Sequence, residues 1–362
     1  MSNTLRLDAA YKKHQLDFRF EAGTSRGVLK RKETYFVSVS KAGEHEQKGW
    51  GEAGPLPKLS IDDISNFEAF LSNYIEALKE NDVPWSQEGI LDFCKSFISD
   101  EHPSIRFAFE TAMLDLLNGA KKKILENPFY SENRAIDING LIWMGNVDFM
   151  LRQIEEKLKA GFSCIKMKIG AIDFDQELAL LAHIRKNFSA DEIVLRVDAN
   201  GAFSPEEALA KLDLLAKFDL HSIEQPIKAG QIDTMALLCE QSPLDIALDE
   251  ELIGVNKISD RKKLLEQIKP PFIILKPTLV GGIKDTQEWI NLADQLGIQW
   301  WMTSALESNI GLNAISQLTS SYNTVLPQGL GTGQLYHNNI PSPLEVKEGK
   351  IFYTSSIAWG KV

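Results

Sequence analysis

The pattern of apolar and polar positions changes along the chain. Up to about residue 53, apolar residues recur in extended segments at residues 15–21, 34–40 and 50–53, with a glycine-containing, basic loop predicted over residues 22–32. Three segments with near-helical apolar spacing follow, at residues 61–80, 85–99 and 104–125. Ser60 is placed to cap the first, with Asp62 and Asp63 in its first turn. Strands followed by helices are typical of an α+β domain. We therefore predict such a domain over residues 1–130.

From residue 131 onward, short apolar runs alternate with amphipathic segments. Repeated strand–helix units of about 25–30 residues indicate parallel βαβ architecture, and eight strands favour a closed TIM-like barrel over an open sheet. The predicted strands are residues 135–143, 163–169, 192–197, 221–223, 245–248, 272–275, 298–302 and 324–326. We place the α/β barrel at residues 131–326 and expect the tail, residues 327–362, to return to the first domain.

Composition narrows the class of protein. The 362 residues are 44% hydrophobic and 25% charged, which is typical of a globular protein, and a net charge of −11 argues against nucleic acid as a partner. Cys94, Cys164 and Cys239 are too far apart for a disulfide framework or a CxxC metal site. No apolar run has the roughly 18 residues of a membrane helix. We expect a cytoplasmic protein without a membrane segment, and the pattern leaves its oligomeric state open.

Five successive predicted strands end in charged residues. The spacing from the second lysine onward is 30, 26, 25 and 27 residues, about one strand–helix unit each. The strand-end residues are Lys166 and Lys168, Asp198, Glu224, Asp249 and Lys276. Since the C-terminal ends of barrel strands meet at the face that carries TIM-barrel active sites, these six side chains are predicted to converge.

The residue types indicate metal-assisted proton abstraction. Asp198, Glu224 and Asp249 offer hard oxygen ligands that suit Mg²⁺, with Mn²⁺ as an alternative, and no histidine at a matching strand end suggests zinc. Positive charge beside a lysine disfavours its ammonium form, so that it can act as a general base near neutrality. The predicted reaction begins with removal of a proton next to a carboxylate, with an enolate stabilised by positive charge.

Each position has a plainer interpretation on its own. A single charged residue at a strand end is usually a helix cap or a solvated charge, and Asn200 could cap the next helix. Glu250 and Glu251 are interpreted as solvated loop charges. Placement by chance in five consecutive units is improbable, which favours the functional interpretation of the whole set.

At these residues the sequence resembles the enolase superfamily, in the muconate-lactonizing subgroup that carries KxK on the second strand. The resemblance covers nearly the whole chain. It implies a modified (β/α)7β barrel with an N-terminal α+β capping domain and Mg²⁺ held by Asp198, Glu224 and Asp249. It also implies acid/base roles for Lys168 and Lys276, with Lys166 beside Lys168.

Two segments distinguish the reactions of this subgroup, which include muconate cycloisomerisation, dipeptide epimerisation and N-succinylamino acid racemisation. Residues 304–344 and 23–36 resemble the o-succinylbenzoate synthase family. Gly329–Gly333 lacks the acidic pair with which dipeptide epimerases hold an ammonium group. The resemblance implies a small dicarboxylate substrate and Mg²⁺-dependent syn dehydration of 2-succinyl-6-hydroxy-2,4-cyclohexadiene-1-carboxylate to 2-succinylbenzoate in menaquinone biosynthesis. A racemase or epimerase of the same subgroup is the alternative.

Further residues are candidates for substrate contacts. Gly329 and Gly331 either form a tight turn or let the backbone donate N–H groups to a carboxylate. Ser304 is favoured as a pocket residue, whereas Glu307 could equally line the pocket or cap the helix predicted to begin near Asn309. Arg26 is either a carboxylate clamp or a solvated surface residue. Arg196, two residues before Asp198, is a candidate for orienting a metal ligand.

Overall fold

The N-terminal part is built on a long antiparallel hairpin. The structure, a computed structural model, describes residues 4–24 and 27–362. In it β1 (Thr4–Leu5) is followed by β2 (Leu7–Thr24), β3 (Gly27–Lys41) and β4 (Glu44–Ala53), and β3 pairs with both β2 and β4. The loop predicted over residues 22–32 is wrong, because the strands run through most of it. The buried side chains of Leu16, Phe18 and Ala22 pack the hairpin arm, which is the far part of β2 and β3, against the barrel. Burial of this apolar surface stabilises paired strands here over a solvated loop.

Three helices cover the sheet. They are α1 (Phe67–Leu78), α2 (Gln87–Phe97) and α3 (Pro103–Leu117), and a short β5 (Val83–Pro84) pairs with β1. An added Cβ on Gly49 or Gly51 of β4 would lie 2.0 Å from a backbone oxygen of α3, so these glycines permit close contact between strand and helix.

The first helix starts later than predicted. Ser60 does not cap it, because the Ser60 hydroxyl accepts a hydrogen bond from the Leu56 amide within a turn, at 2.7 Å. Asp62 does not lie in a first helical turn either. It is buried and accepts bonds from the backbone N–H and the hydroxyl of Ser104, at 2.9 and 2.6 Å. The Ser60 side chain therefore stabilises a turn before α1, and the Asp62 side chain connects this segment to α3.

A parallel sheet follows the short segments α4 (Pro128–Ser131) and β6 (Ile136–Asp137). Within the described residues seven strands pair in chain order. They are β7 (Gly140–Ile142), β8 (Cys164–Lys168), β9 (Val194–Asp198), β10 (Ser222–Glu224), β11 (Ile246–Leu248), β12 (Phe272–Leu275) and β13 (Gln299–Met302). The helices along them are α5 (Val147–Lys159), α6 (Phe174–Asn187), α7 (Pro205–Leu215), α8 (Ile232–Gln241), α9 (Ile258–Ile268), α10 (Pro277–Val280), α11 (Gly282–Leu296) and α12 (Asn309–Ser320).

The curled sheet is closed by a polar segment instead of the eighth strand predicted at residues 324–326. That prediction is wrong: Val325, at its centre, is 88% exposed. Gln328 forms a single bridge to Ile138, and Gly329 forms one to Thr303. The Gln328 side chain also accepts a bond from the Met302 amide at 2.8 Å, so an amide side chain replaces part of the missing ladder.

The tail contacts both parts of the molecule. Tyr336 bridges to Phe18 of the hairpin arm, while β14 (Leu344–Lys347) and β15 (Lys350–Tyr353) form a small antiparallel sheet with β6. Among the described helices, none combines the length and apolarity needed to cross a membrane.

Candidate active site

Neighbouring strands bring the strand-end residues together. In the strand register Lys168 of β8 lies beside Asp198 of β9, and Asp198 lies beside Glu224 of β10. Lys166 and Lys168 are two positions apart on β8, so their side chains point to the same side, into the barrel. All of these side chains are at least nine-tenths buried.

The two lysines of β8 bind the carboxylates from one side. The Lys166 ammonium lies 3.1 Å from Asp198 Oδ2 and 2.5 Å from Glu224 Oε2. The Lys168 ammonium lies 2.9 Å from Asp198 Oδ2 and donates to Asn200 Oδ1 at 2.7 Å. Asp198 is therefore shared by both lysines.

Lys276 approaches the same carboxylates from another strand. It follows β12, forms an ion pair with Asp249, and its Nζ lies 3.7 Å from Glu224 Oε1. The chain thus places lysines of β8 and of the β12 end around one carboxylate cluster, as the strand-end spacing predicted.

The charges perturb one another. Burial alone would raise the pKa of Asp198, but Lys166 and Lys168 hold that pKa well below its ordinary value. Burial lowers the pKa of Lys166, and Asp198 and Glu224 more than compensate, so its pKa lies above the ordinary value. Burial, together with the neighbouring Glu250 and Glu224, raises the pKa of Asp249. The cluster therefore crowds buried carboxylates that depend on cations for stability.

The carboxylates of Asp198, Glu224 and Asp249 are the type of ligand that suits a hard divalent cation, although their oxygen atoms do not surround one common position. Among the described residues, no three carboxylate, histidine or cysteine side chains lie close enough together to hold a metal ion. Lysine ammonium groups lie between the carboxylates instead. Glu224 Oε1 is buried and accepts no hydrogen bond from the described part of the chain. Three buried carboxylates with an unsatisfied oxygen match the oxygen ligands that Mg²⁺ requires.

The residues after two of the carboxylates are not solvated or capping groups. Asn200 donates to Glu250 Oε1 at 3.0 Å, whereas Ser204 forms the capping box of α7, so Asn200 orients Lys168 instead of capping that helix. The prediction that Glu250 and Glu251 are solvated is wrong. Glu251 is buried, and it accepts bonds from the Gln225 side chain and the Gly230 amide at 3.0 and 2.8 Å.

The segment after β13 is held by buried hydrogen bonds. Ser304 donates to Glu307 Oε2 at 2.5 Å and accepts from the Thr332 hydroxyl at 2.8 Å. The other oxygen of Glu307 accepts from Thr278, at 2.6 Å. Ser308, not Glu307, caps α12, which begins at Asn309 as predicted. Glu307 thus ties the segment of Ser304 to the residues that follow Lys276.

A carboxylate of the N-terminal domain holds the same segment. Glu52, fully buried on β4, accepts bonds from the Ser308 amide at 2.8 Å, the Ser308 hydroxyl at 2.5 Å and the Gly311 amide at 2.9 Å. The Thr34 hydroxyl donates to it as well, at 2.8 Å. Negative charge at a helix N-terminus is stabilising, so Glu52 fastens the start of α12 to the hairpin domain.

Three of the candidate binding residues differ from expectation or lie outside the structure. Arg196 is buried and donates to the Pro327 carbonyl at 2.7 Å, with its guanidinium 4.0 Å from the Trp301 ring centre. Its Nε and Nη2 atoms find no partner among the described residues, so it does not orient a metal ligand. Gly329 cannot offer its N–H to a substrate, because that N–H donates to the Met302 carbonyl at 2.8 Å. Arg26 lies outside the described residues.

One cavity of about 160 Å³ adjoins the cluster. Its wall includes Lys166, Lys168, Asp198, Asn200 and Lys276, together with Ser304, Gly329 and Gly331. It also includes residues that sequence reasoning missed: Asn139, Leu141, Trp143, Lys157, Thr303 and Thr332. The alternation Asn139, Leu141, Trp143 was the available signal, since every second residue of a strand faces the same side.

The chain is similar to known proteins in both sequence and structure. A family model described as enolase C-terminal domain-like matches residues 150–356. The chain belongs to the enolase superfamily. It is 46% identical to the o-succinylbenzoate synthase of Desulfotalea psychrophila, over 95% of this chain and 98% of that relative. The N-succinylamino acid racemase of Thermus thermophilus is 27% identical, over 92% of this chain and 88% of that relative.

Solved structures of the superfamily share the architecture. The crystal structure of MenC from Desulfotalea psychrophila has a TM-score of 0.82 at 41% identity, over 96% of this chain and 99% of that chain. The substrate-liganded L-Ala-D/L-Glu epimerase of Bacillus subtilis has a TM-score of 0.81 at 18% identity, over 99% and 97% of the two chains, which supports the fold alone. The predicted α/β fold, an enolase-like barrel with an N-terminal capping domain, is confirmed.

Proposed function

We propose that this enolase-superfamily chain is an o-succinylbenzoate synthase, a lyase that dehydrates 2-succinyl-6-hydroxy-2,4-cyclohexadiene-1-carboxylate to 2-succinylbenzoate. The observation that carries the chemistry is that Lys168 and Lys276 line one cavity and both bind the carboxylate cluster beside it. The choice of substrate is supported by the Desulfotalea psychrophila relative. We further propose that the protein acts in menaquinone biosynthesis in the cytoplasm.

The metal site belongs to the proposal. Asp198, Glu224 and Asp249 would hold Mg²⁺, or Mn²⁺, since their carboxylates are hard ligands and Glu224 Oε1 has no hydrogen-bond donor among the described residues. A bound divalent cation supplies positive charge that stabilises negative charge developing on the substrate carboxylate. Lys166 contacts both Asp198 and Glu224 and is suited to position these ligands.

Lys168 is the proposed base. Its neutral amine removes the proton from the ring carbon next to the carboxylate, and the C–H electron pair is delocalised into that carboxylate. Lys276 remains an ammonium and adds positive charge near the same group. The ammonium of Lys168 then returns its proton to the departing 6-hydroxyl, the C–O bond breaks, and water leaves as the ring becomes aromatic. One residue handling both protons makes the elimination syn.

Hydrogen bonds around Lys168 support this role. Asn200 accepts from the Lys168 ammonium at 2.7 Å, and Glu250 in turn accepts from Asn200. This chain of bonds fixes the direction of the Lys168 side chain toward the cavity. Ser304, held by Glu307, forms another part of the cavity wall and would contact the substrate.

The test is turnover of the purified protein on the cyclohexadiene carboxylate. We expect aromatic product to form with Mg²⁺, little to form after EDTA treatment, and activity to return when Mg²⁺ is restored. The matched control is Lys159→Met, an exposed lysine of α5, which should keep wild-type activity. Absence of product with Mg²⁺ present would contradict the proposal.

N-Succinylamino acid racemase is the second candidate, favoured by the same placement of lysines around one cluster and by the Thermus thermophilus relative. Racemisation in D₂O would incorporate deuterium at the α-carbon of an N-succinylamino acid. Exchange much faster than dehydration would make racemisation the main activity.

A further inference from the structure

Two polar side chains in the cavity wall each have an oxygen atom that forms no hydrogen bond with the described part of the chain. Asn139 and Thr303 are 4% and 8% exposed, and neither Asn139 Oδ1 nor Thr303 Oγ1 is bonded to any described residue. Leaving a buried polar group unsatisfied costs about 1–3 kcal/mol. Such groups are therefore usually matched by a ligand or by water, and both of these face the cavity that Lys168 lines.

The segment that closes the barrel brings the two residues close together. Asn139 donates its backbone N–H to the Gln328 carbonyl at 2.9 Å, and Thr303 bridges to Gly329, the next residue. Asn139 and Thr303 therefore flank the same two-residue segment from opposite sides. A Cβ added to Gly329 would lie 2.4 Å from Thr303 Oγ1, so glycine at this position leaves the hydroxyl accessible.

The wall of this cavity also carries positive charge beyond the strand-end cluster. The aliphatic part of Lys157 packs against Gly140, where an added Cβ would lie 3.0 Å from it, and the Lys157 ammonium lies 5.1 Å from the Phe162 ring centre. Within residues 4–24 and 27–362, no carboxylate lies within ion-pair distance of Lys157. Among the described residues of the wall, Asp198 is the one carboxylate, and it is already bound by two lysines.

We infer that Asn139 and Thr303 donate hydrogen bonds to the second carboxylate of a dicarboxylate substrate, with the Lys157 ammonium as the positive charge at that subsite. The inference rests on the proposed function, which gives the substrate one carboxylate at the metal cluster and another at the end of its succinyl chain. The Thr303 hydroxyl supplies an O–H donor, and Asn139 Nδ2 supplies N–H donors. Asn139 Oδ1 accepts only, so it is matched by water while Nδ2 bonds the carboxylate. The Lys157 ammonium offsets the negative charge of the buried carboxylate.

The subsite is tested by comparing two ligands that differ in the second carboxylate alone. 2-Succinylbenzoate, the proposed product, carries it, whereas 2-butanoylbenzoate has a methyl group in its place. Binding of each is measured by calorimetry with Mg²⁺ for the wild type and for Thr303→Val, Asn139→Leu and Lys157→Met. Thr111→Val is the matched control, because the Thr111 hydroxyl bonds within α3, away from the cavity.

We expect the wild type to bind the dicarboxylate at least roughly 10-fold more tightly, since a lost hydrogen bond to a charged group costs about 1.5–3 kcal/mol. Each cavity variant should weaken the dicarboxylate roughly 5-fold or more and leave 2-butanoylbenzoate within about 2-fold, which also shows that the variant is folded. Equal weakening of both ligands, or no weakening of either, would overturn the subsite. Failure of the wild type to bind 2-succinylbenzoate would overturn the proposed function and the subsite with it, whereas the other outcomes leave the function intact.

Discussion

Glu52 links the hairpin domain to the segment that carries Ser304, and replacing it by alanine tests how strongly the two parts are coupled. The variant removes the acceptor for Thr34, for both groups of Ser308 and for the Gly311 amide. Burial lowers the pKa of Lys32, and Glu52 is the carboxylate that most opposes this effect, so the variant removes that opposing charge as well. Four donor groups are thus left without their acceptor.

The expected loss follows from these contacts. Leaving one buried donor without its acceptor costs about 1–3 kcal/mol, and the costs of the four donors that share Glu52 do not simply add, so we take about 3–5 kcal/mol for the set. With an unfolding entropy of about 2.1 cal/mol/K per residue, a chain of 362 residues loses roughly 0.76 kcal/mol per degree near its midpoint. Glu52→Ala should therefore lower the midpoint by about 4–7 °C.

Thermal unfolding followed by circular dichroism measures this shift, and hydrogen exchange of residues 304–311 shows where it originates. Glu68→Ala is the matched control, since Glu68 bonds to Tyr11 and Lys13 on an exposed surface where such pairs contribute about 0–1 kcal/mol. A Glu52→Ala midpoint no lower than that of the control, with unchanged exchange in residues 304–311, would refute the reasoning.

Two further predictions concern pH and metal. Burial raises the pKa of Glu110 from about 4.5 to about 8, so between these pH values the native state keeps a proton that the unfolded chain has lost. The free energy of unfolding should fall as pH rises through this window, by at most about 1.4 kcal/mol per pH unit. Glu110→Gln can still accept from the Ile283 amide, and it should flatten this slope when stability is measured by urea unfolding. If the slope is unchanged, the titrating group is another one. For the metal, Mg²⁺ at 100 times its dissociation constant should stabilise the protein by about 2.7 kcal/mol, and Asp249→Asn should largely abolish this shift in calorimetry; an equal shift in the variant would exclude Asp249 as a ligand.

The strand-end set could be predicted because it repeats with the strand–helix unit. Asp198 and Glu224 end neighbouring strands, so parallel pairing alone places them side by side. The helix start at Asn309 was equally local, since Ser308 supplies its own cap. Features fixed by one strand or one turn were therefore accessible from the sequence.

Features that depend on distant partners were not accessible. Ser60 has the residue type of a helix cap, but a turn to Leu56 takes its hydroxyl. Glu251 follows Asp249 in a short charged run, and Gln225, from the neighbouring strand end, makes it a buried acceptor. Arg196 faces the barrel interior as its spacing predicts, but the Pro327 carbonyl and the Trp301 ring occupy it.

The eighth strand shows the same limit. The apolar run at residues 324–326 has the right position and composition, whereas Gln328 and Gly329 make the closing bridges with backbone groups and an amide side chain. Backbone hydrogen bonding of this kind leaves no hydrophobic pattern. Asn139 could have been found from the alternation Asn139, Leu141, Trp143, but no pattern marks Thr303, whose hydroxyl stands out because it bonds to no described residue.

The proposed role of Lys168 as the base that begins the dehydration is tested by the turnover of Lys168→Ala on the cyclohexadiene carboxylate. Mg²⁺ binding by the same preparation is measured by calorimetry, with Lys159→Ala as the control for loss of a lysine. A positioned acid/base group contributes about 10²–10⁴-fold, so we predict at least a 100-fold lower kcat with nearly unchanged Mg²⁺ affinity. A variant that keeps a tenth of the wild-type activity would contradict the assignment of Lys168 as the base.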